Sequence, residues 1–142
     1  MQIRELNLKE LQDIFDVLQQ LRTELSYQEF EDLIYDMRHM EYKMFGIVQD
    51  EKLITYAGVA IQTNLYHKRH LFVYDFVTDK DERNKGYGKK MLEYLEDYSR
   101  IAMCENIVLS SSFSKEQAHQ FYNAQGFIKK SFVFLKKIGT TG

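Results

Sequence analysis

The chain has 142 residues and a formal net charge of −2, with 44% hydrophobic and 14% aromatic residues. This size and composition suit one compact domain with a substantial core, and they exclude a largely disordered chain. The near-neutral charge excludes the overall positive field of non-specific nucleic-acid binders, and no apolar run approaches the roughly 20 residues of a membrane span.

The amino terminus and the cysteine content point to an ordinary intracellular protein. The first residues, MQIRELNLKEL, are charged and do not resemble a signal peptide. The single cysteine, Cys104, excludes an internal disulfide and a multi-cysteine zinc site. With no proline, repeat or linker in the sequence, we predict a cytoplasmic protein with one domain over residues 1–138 and a flexible tail over 139–142.

Two helices are predicted after a short strand-like segment, QIREL. Asn7 and Glu10 have the spacing of a capping box, in which each side chain accepts a backbone N–H at the helix start. Ser26 and Glu29 repeat that signal before a second helix. Apolar residues then recur at helical spacing in both segments, at Leu11, Ile14, Phe15, Leu18 and Leu21, and at Phe30, Leu33, Ile34 and Met37.

The rest of the chain alternates between strand and helix patterns. Residues 44–63 form two β-rich runs around Asp50 and Glu51, which predicts an antiparallel hairpin. The next run, HLFVYDFVT, is apolar enough for a strand that is buried on both faces. Later patterns predict a helix at 86–101, a strand at 106–111, a helix at 115–125 and a last strand at 131–137. The order β-α-α-β-β-β-α-β-α-β predicts a mixed sheet with helices on both faces.

A glycine-rich, basic stretch, DERNKGYGKKM, links the apolar strand to the following helix. Glycines let an anion reach backbone N–H groups, and a helix amino terminus carries partial positive charge, so phosphate could bind here. A solvated helix start would explain the same charges. The residues after Gly86 and Gly88 fit neither the nucleotide P-loop pattern nor the dinucleotide pattern.

The pattern that fits is R-x-x-G-x-G, from Arg83 to Gly88, and a second segment, AHQFYNAQGF, follows about 30 residues later at 118–127. With these two motifs and the predicted element order, the sequence resembles the GNAT superfamily of acetyl-CoA-dependent N-acetyltransferases over essentially the whole chain. Glu82 and Lys80 replace an aromatic residue and a proline that are common in that family. The resemblance implies an α/β (α+β) GNAT-like fold, with a mixed, mostly antiparallel, twisted sheet of six to seven strands and about four helices.

The resemblance also implies acetyl-CoA as co-substrate. Backbone amides of the glycine loop would hold its diphosphate, and the pantetheine arm would run along the fourth strand. The implied contacts are the loop residues Arg83, Asn84, Lys85, Gly86, Tyr87, Gly88 and Lys89, the main chain of Phe76, Val77 and Thr78, and Ser114. A strand buried on both faces would equally explain residues 76–78. Ser114 could also cap the following helix, with Gln117 completing the box.

Acetyl transfer needs a neutral amine, a donor to the oxyanion and a proton for the leaving thiolate. The resemblance places Tyr122 as the general acid and a main-chain N–H near Val77 as the oxyanion donor; a core aromatic is the other interpretation of Tyr122. Asp75, the one charge in LFVYDFV, could take the amine proton directly or through water, or could instead satisfy backbone amides. His70 and Tyr74 are the alternative bases. Cys104 is interpreted as a packing residue and not as a nucleophile.

The acceptor is expected to be the primary amine of a small molecule. In the family, the first two helices and the loop between the third and fourth strands shape the acceptor site, here residues 25–42 and 66–70. These segments contain Tyr27, Tyr35, Asp36, Arg38, His39, Tyr42, His67, Lys68, Arg69 and His70. They would suit an amine beside an anionic group, as in the aminoalkylphosphonate acetyltransferase branch, or would form a solvated surface.

Three other expectations concern function and partners. The alternatives to a small acceptor are a protein amino terminus or lysine, or a domain that binds acyl-CoA without catalysis. No metal, nucleic-acid or membrane partner is predicted, because no ligand spacing, basic field or apolar span indicates one. Homodimers are an expectation by analogy with the family.

Overall fold

A computed structural model describes residues 1–139 of the chain. These residues form two compact units, Met1–Leu109 and a second unit that begins at Ser110. The single domain over residues 1–138 stays a prediction. Residues 140–142 of the predicted tail lie outside the described residues.

The first unit contains a five-stranded sheet and three helices. Its strands are β1 (Gln2–Glu5), β2 (Lys43–Gln49), β3 (Lys52–Asn64), β4 (Lys68–Thr78) and β5 (Asn106–Leu109), and its helices are α1 (Leu11–Leu18), α2 (Tyr27–Met37) and α3 (Tyr87–Ile101). The strands lie in the order β1-β2-β3-β4-β5, antiparallel except for the parallel β4–β5 pair. This confirms the predicted mixed, mostly antiparallel sheet. The second unit contains α4 (Glu116–Ala124), the fourth predicted helix.

The predicted count of six to seven strands is wrong for the residues that the structure describes. Residues 131–137, predicted as the last strand, carry no strand assignment, and their apolar side chains are exposed, including Phe134 at 93%. A strand forms only where its backbone groups pair with a neighbour, and the sheet ends at β5. The sequence pattern and the family resemblance predicted the strand, and neither supplies a neighbouring strand for it to pair with.

Both predicted capping boxes form. The Asn7 and Glu10 side chains cap a single 3₁₀ turn, Leu8–Glu10, that leads directly into α1. Ser26 and Glu29 cap α2 in the same way. The predicted hairpin also forms, with Asp50 and Glu51 both at positive φ between Gln49 and Lys52, as a two-residue turn requires.

Helices cover both faces of the sheet in the first unit. Met44 of β2 belongs to a buried cluster with side chains of α1 and α2, such as Ile14 and Phe30. The next residue, Phe45, points to the other face and packs edge-on against Tyr94 and Tyr98 of α3. Each of these large side chains contributes about 1.5–3 kcal/mol by leaving water, so the sheet is held from both sides.

The continuously buried strand is β3, whereas the apolar run HLFVYDFVT predicted that it would be the next strand, β4. Residues 53–60 are all buried, while β4 has buried residues at 70, 71, 73 and 77 and half-buried residues between them. The difference follows from position: β3 lies in the middle of the five strands and beneath helices on both faces. Part of β4 is therefore accessible, and this part contains Asp75.

Candidate active site

A β-bulge in β4 marks the place where this strand parts from β5. Gly58 of β3 pairs with Asp75, but the next residue, Val59, pairs with Val73, so Tyr74 is an extra residue in β4. The parallel ladder with β5 runs from His70 to Val73 and ends there, while pairing with β3 continues to Thr78. The bulge thus separates the part of β4 that pairs with two strands from the part that leads into the glycine loop.

Backbone N–H groups join the loop after β4 to β3 and to the segment after α1. The Asp79 N–H donates to the Ile54 carbonyl at 2.8 Å, and the Lys80 N–H donates to Gln20 Oε1 at 2.8 Å. One 3₁₀ turn, Lys80–Glu82, follows. Arg83 then turns back, and its Nε donates to the Thr78 carbonyl at 3.1 Å. Arg83, predicted as a contact to coenzyme A, therefore anchors the loop to the end of β4, the strand predicted to bind the pantetheine arm.

Gly86 opens α3 in a conformation that suits glycine. Its φ is +86°, and it is the N-cap residue without a side-chain cap. Apart from Gly86 itself and its two neighbours in the chain, no residue that the structure describes has an atom within 4 Å of the place where a Cβ would stand. The amides of Tyr87, Gly88 and Lys89 form the first turn of this 15-residue helix. A phosphate group could approach the free N–H groups at this helix start, because no side chain caps them and Gly86 has no side chain of its own.

The charged side chains of the loop are partly neutralised. Lys85 Nζ lies 3.0 Å from Glu82 Oε2, and the hydrogen bond raises the pKa of the lysine. Lys52 Nζ lies 3.7 Å from Asp79 and 3.8 Å from Glu82. The Tyr87 hydroxyl donates to Gln49 Oε1 at 3.3 Å. Exposed ammonium groups of this kind contribute little to anion binding.

Asp75 is held by two donors from distant segments. Arg22, between α1 and α2, donates from Nε to Asp75 Oδ1 at 2.9 Å and from Nη2 to the carbonyl of Tyr74 at 2.9 Å. Tyr42, just before β2, donates to Asp75 Oδ2 at 2.8 Å, and its oxygen lies 2.7 Å from the hydroxyl of Tyr56. Each carboxylate oxygen has a second acceptor site, so Asp75 can accept a further proton donor.

The two tyrosines of this network remain protonated over a wide pH range. Loss of contact with water raises the pKa of Tyr42 and of Tyr56, and the nearby charge of Asp75 acts in the same direction on both. Since Tyr42 uses its one proton toward Asp75, Tyr56 must be the donor to Tyr42. The chain of donation runs from Tyr56 through Tyr42 to the carboxylate.

These raised pKa values predict alkaline sensitivity. A phenol whose pKa is raised by folding contributes stability below its unfolded pKa of about 10, and that contribution is lost as pH rises through the folded value. We expect the free energy of unfolding to fall as pH rises above about 10. Tyr42→Phe should make this fall with pH less steep, by up to ~1.4 kcal/mol per pH unit. Urea unfolding between pH 8 and 11 measures the slope, with the exposed Tyr66→Phe as control. An unchanged slope in Tyr42→Phe contradicts this assignment.

The residues predicted for the acceptor site divide into inward and outward groups. His70, one of the two alternative bases, is buried: it is 1% exposed, and its Nδ1 lies 2.8 Å from the Lys68 carbonyl oxygen. Tyr42 turns toward Asp75 as described. Tyr35 is exposed, with the Arg38 guanidinium 5.5 Å from its ring centre.

Over residues 1–139, no group of three or more histidine, cysteine or acidic side chains could hold a metal ion.

In the second unit, Tyr122 lies on α4 and packs edge-on against the rings of Phe121 and Phe127. Burial raises the pKa of its phenol. The predicted cap at Ser114 does not form: Lys115 is the N-cap residue, and the Ser114 hydroxyl lies 3.2 Å from that of Ser112 instead. The helix therefore begins at Glu116 without a side-chain cap.

A family model described as Acetyltransferase (GNAT) family matches residues 8–127, which is most of the chain. The chain belongs to the GNAT acetyltransferase family. It is therefore an acetyl-CoA-dependent N-acetyltransferase that transfers acetyl groups to amines. The matched range contains the bulge, the glycine loop and α4.

Relatives agree with this assignment. The uncharacterized N-acetyltransferase YhdJ of Bacillus subtilis (strain 168) is 29% identical over 92% of this chain and 93% of its own. An aminoalkylphosphonate N-acetyltransferase of Salmonella typhimurium is 24% identical over 83% and 78%. Among solved structures, the fold resembles the aminoglycoside N-acetyltransferase AAC(6')-Iy in complex with CoA, with a TM-score of 0.84, 15% identity and coverage of 96% and 93%. A Trypanosoma brucei acetyltransferase gives 0.79 at 22% identity, covering 96% and 99%.

Several residues of this GNAT site were not predicted for it from the sequence. Arg22 and Tyr56 were not singled out, and Tyr42 was expected only among acceptor residues. Gly58 gave a usable signal, because a glycine inside an apolar strand often marks a bulge or a close approach.

Among residues 1–139, no helix has the length and apolar character needed to cross a membrane.

Proposed function

We propose that this GNAT enzyme acetylates the primary amine of a small molecule by direct attack within a ternary complex with acetyl-CoA. The observation that supports this most is the open, uncapped start of α3 at Gly86, directly after a strand that has parted from its neighbour. The two features lie next to each other in sequence, so one extended ligand could bind both. Coenzyme A has this form, with a phosphorylated end and a thin pantetheine arm.

The proposed donor site has two parts. Backbone amides of the loop from Arg83 to Lys89 hold the diphosphate, because the loop leads into the positive end of the α3 helix dipole. The pantetheine arm lies along the main chain of Phe76, Val77 and Thr78, beyond the end of the β4–β5 ladder. Ser114 is proposed as a further polar contact to coenzyme A.

In the proposed reaction, the amine nitrogen forms a bond to the thioester carbon and the carbon–sulfur bond breaks. A main-chain N–H near Val77 donates to the oxyanion, and Tyr122 gives its proton to the departing thiolate. Asp75 accepts the proton that the amine loses. The Tyr122 phenol has its proton at neutral pH, since burial raises its pKa further above that range.

The proposed acceptor is a small amine that also has an anionic group. Lys68 and Arg69 are the exposed first residues of β4, and the Salmonella relative is named for a phosphonate-bearing amine. A screen of amines with acetyl-CoA, measured by thiol release, tests this. It should include aminoalkylphosphonates, amino acids, an aminoglycoside and peptides with free amino termini. Turnover of peptides alone would contradict the small-molecule proposal.

The donor site makes a separate prediction. Coenzyme A at about 100 times its Kd should stabilise the protein by ~2.7 kcal/mol, seen as a higher Tm. Gly86→Ala should weaken binding about tenfold, because alanine resists the left-handed conformation that the loop needs. Gly126→Ala is the matched control, since Gly126 has φ of +92° and equally open surroundings. Equal Kd values for the two variants would contradict the proposed phosphate site.

A further inference from the structure

We propose that Tyr42 is a positioning residue that fixes the Asp75 carboxylate for acetyl transfer, and that the absence of a side chain at Gly58 gives Tyr42 the space to do so. The inference rests on the proposed function, because it assigns Tyr42 to the reaction through Asp75. Tyr42 is 33 residues from Asp75 in sequence and comes from a segment outside the glycine loop and its strand. It does not need to touch either substrate for this role.

Gly58 provides the space through which Tyr42 reaches the carboxylate. A Cβ at Gly58 would stand 1.6 Å from the Tyr42 hydroxyl oxygen and 2.3 Å from Cζ, far inside any allowed contact. Gly58 also pairs directly with Asp75 across the β3–β4 ladder, at the bulge. The missing side chain therefore leaves a slot beside the carboxylate, and the phenol occupies that slot.

The carboxylate is fixed from two sides. Tyr42 donates to Oδ2, while Arg22 donates to Oδ1 and also to the carbonyl of Tyr74, the extra residue of the bulge. Since Tyr56 donates to Tyr42, the phenol oxygen is itself held in place. Two donors on different oxygens define the plane of the carboxylate, and the bulge is fixed with it.

The ring and the hydroxyl of Tyr42 can be tested separately. Its ring packs edge-on against that of Tyr74, with centres 5.9 Å apart, and phenylalanine would keep this contact. Tyr42→Phe thus removes the donor to Asp75 and leaves the packing. Gly58→Ala does the opposite, because it keeps the hydroxyl but pushes the whole side chain out of the slot.

The decisive experiment is a double-mutant cycle in kcat/KM for the best amine of the screen. We expect Tyr42→Phe to lower kcat/KM about tenfold in the wild-type background but less than twofold in Asp75→Ala, because the hydroxyl acts through that carboxylate. The Kd for coenzyme A should stay the same. Gly58→Ala should lower kcat/KM at least as much as Tyr42→Phe, and should add nothing in the Tyr42→Ala background.

The controls separate this proposal from the one it rests on. Tyr94→Phe changes a tyrosine on the opposite face of the sheet and should leave kcat/KM unchanged. If the wild-type enzyme is active but Tyr42→Phe costs the same factor with and without Asp75, or costs nothing, the positioning role is wrong while the proposed function stands. If coenzyme A binds and no small amine is acetylated, the proposed function fails and the positioning role fails with it.

Discussion

Tyr122→Phe is expected to lower kcat by about 10²- to 10⁴-fold with no change in the Kd for coenzyme A. The substitution keeps the ring that packs between Phe121 and Phe127 and removes only the hydroxyl. Without that donor, the thiolate must leave without a proton from the protein. Steady-state kinetics with the best amine, together with a coenzyme A titration, separates loss of chemistry from loss of binding.

The pH profile adds a second test of Tyr122. Because burial raises the pKa of this phenol above its usual value of about 10, kcat of the wild-type enzyme should not fall on the alkaline side until above about pH 10. Tyr94→Phe serves as control, since it removes a tyrosine hydroxyl that has no proposed part in the reaction. Wild-type kcat in Tyr122→Phe would leave the residue as a core aromatic only.

Asp75→Asn is the second substitution with a large expected effect. Asparagine fills the same space but cannot accept the amine proton, so kcat/KM should fall by about 10²-fold, and the rise of rate with pH should weaken. The stability cost should be about 1–3 kcal/mol, because asparagine keeps one acceptor for Arg22 or Tyr42 but turns its NH2 group toward the other donor. Rate profiles from pH 6 to 10, with Tm measured for each protein, test both statements.

A matched control for Asp75 is Asp97→Asn, which removes an exposed carboxylate that pairs with Arg100 on α3. It should change neither the rate nor its pH dependence. An unaltered profile in Asp75→Asn would assign Asp75 a structural role alone: it would join Arg22 and Tyr42 at the bulge, and another group would take the proton.

The local elements of this GNAT domain could be predicted well because their causes are local. Asn7 with Glu10, and Ser26 with Glu29, satisfy the first N–H groups of their own helices, so the spacing in the sequence is itself the interaction. The glycine loop could be found for the same reason, since Gly86 needs a conformation that its own residue type allows. The last strand at 131–137 was predicted wrongly, because pairing depends on an edge elsewhere in the chain.

The sequence by itself determined the caps, the hairpin, the glycine loop and the family motifs, since each depends on residues within a few positions. Only the tertiary structure decided the surroundings of Asp75. Arg22 is 53 residues away from it and Tyr42 is 33 away, and neither spacing follows any repeat of helix or strand. Their meeting depends on strand register, in which one extra residue in β4 places Asp75 opposite Gly58. Hydrogen bonds over such separations arise from packing, and packing is a property of the whole fold.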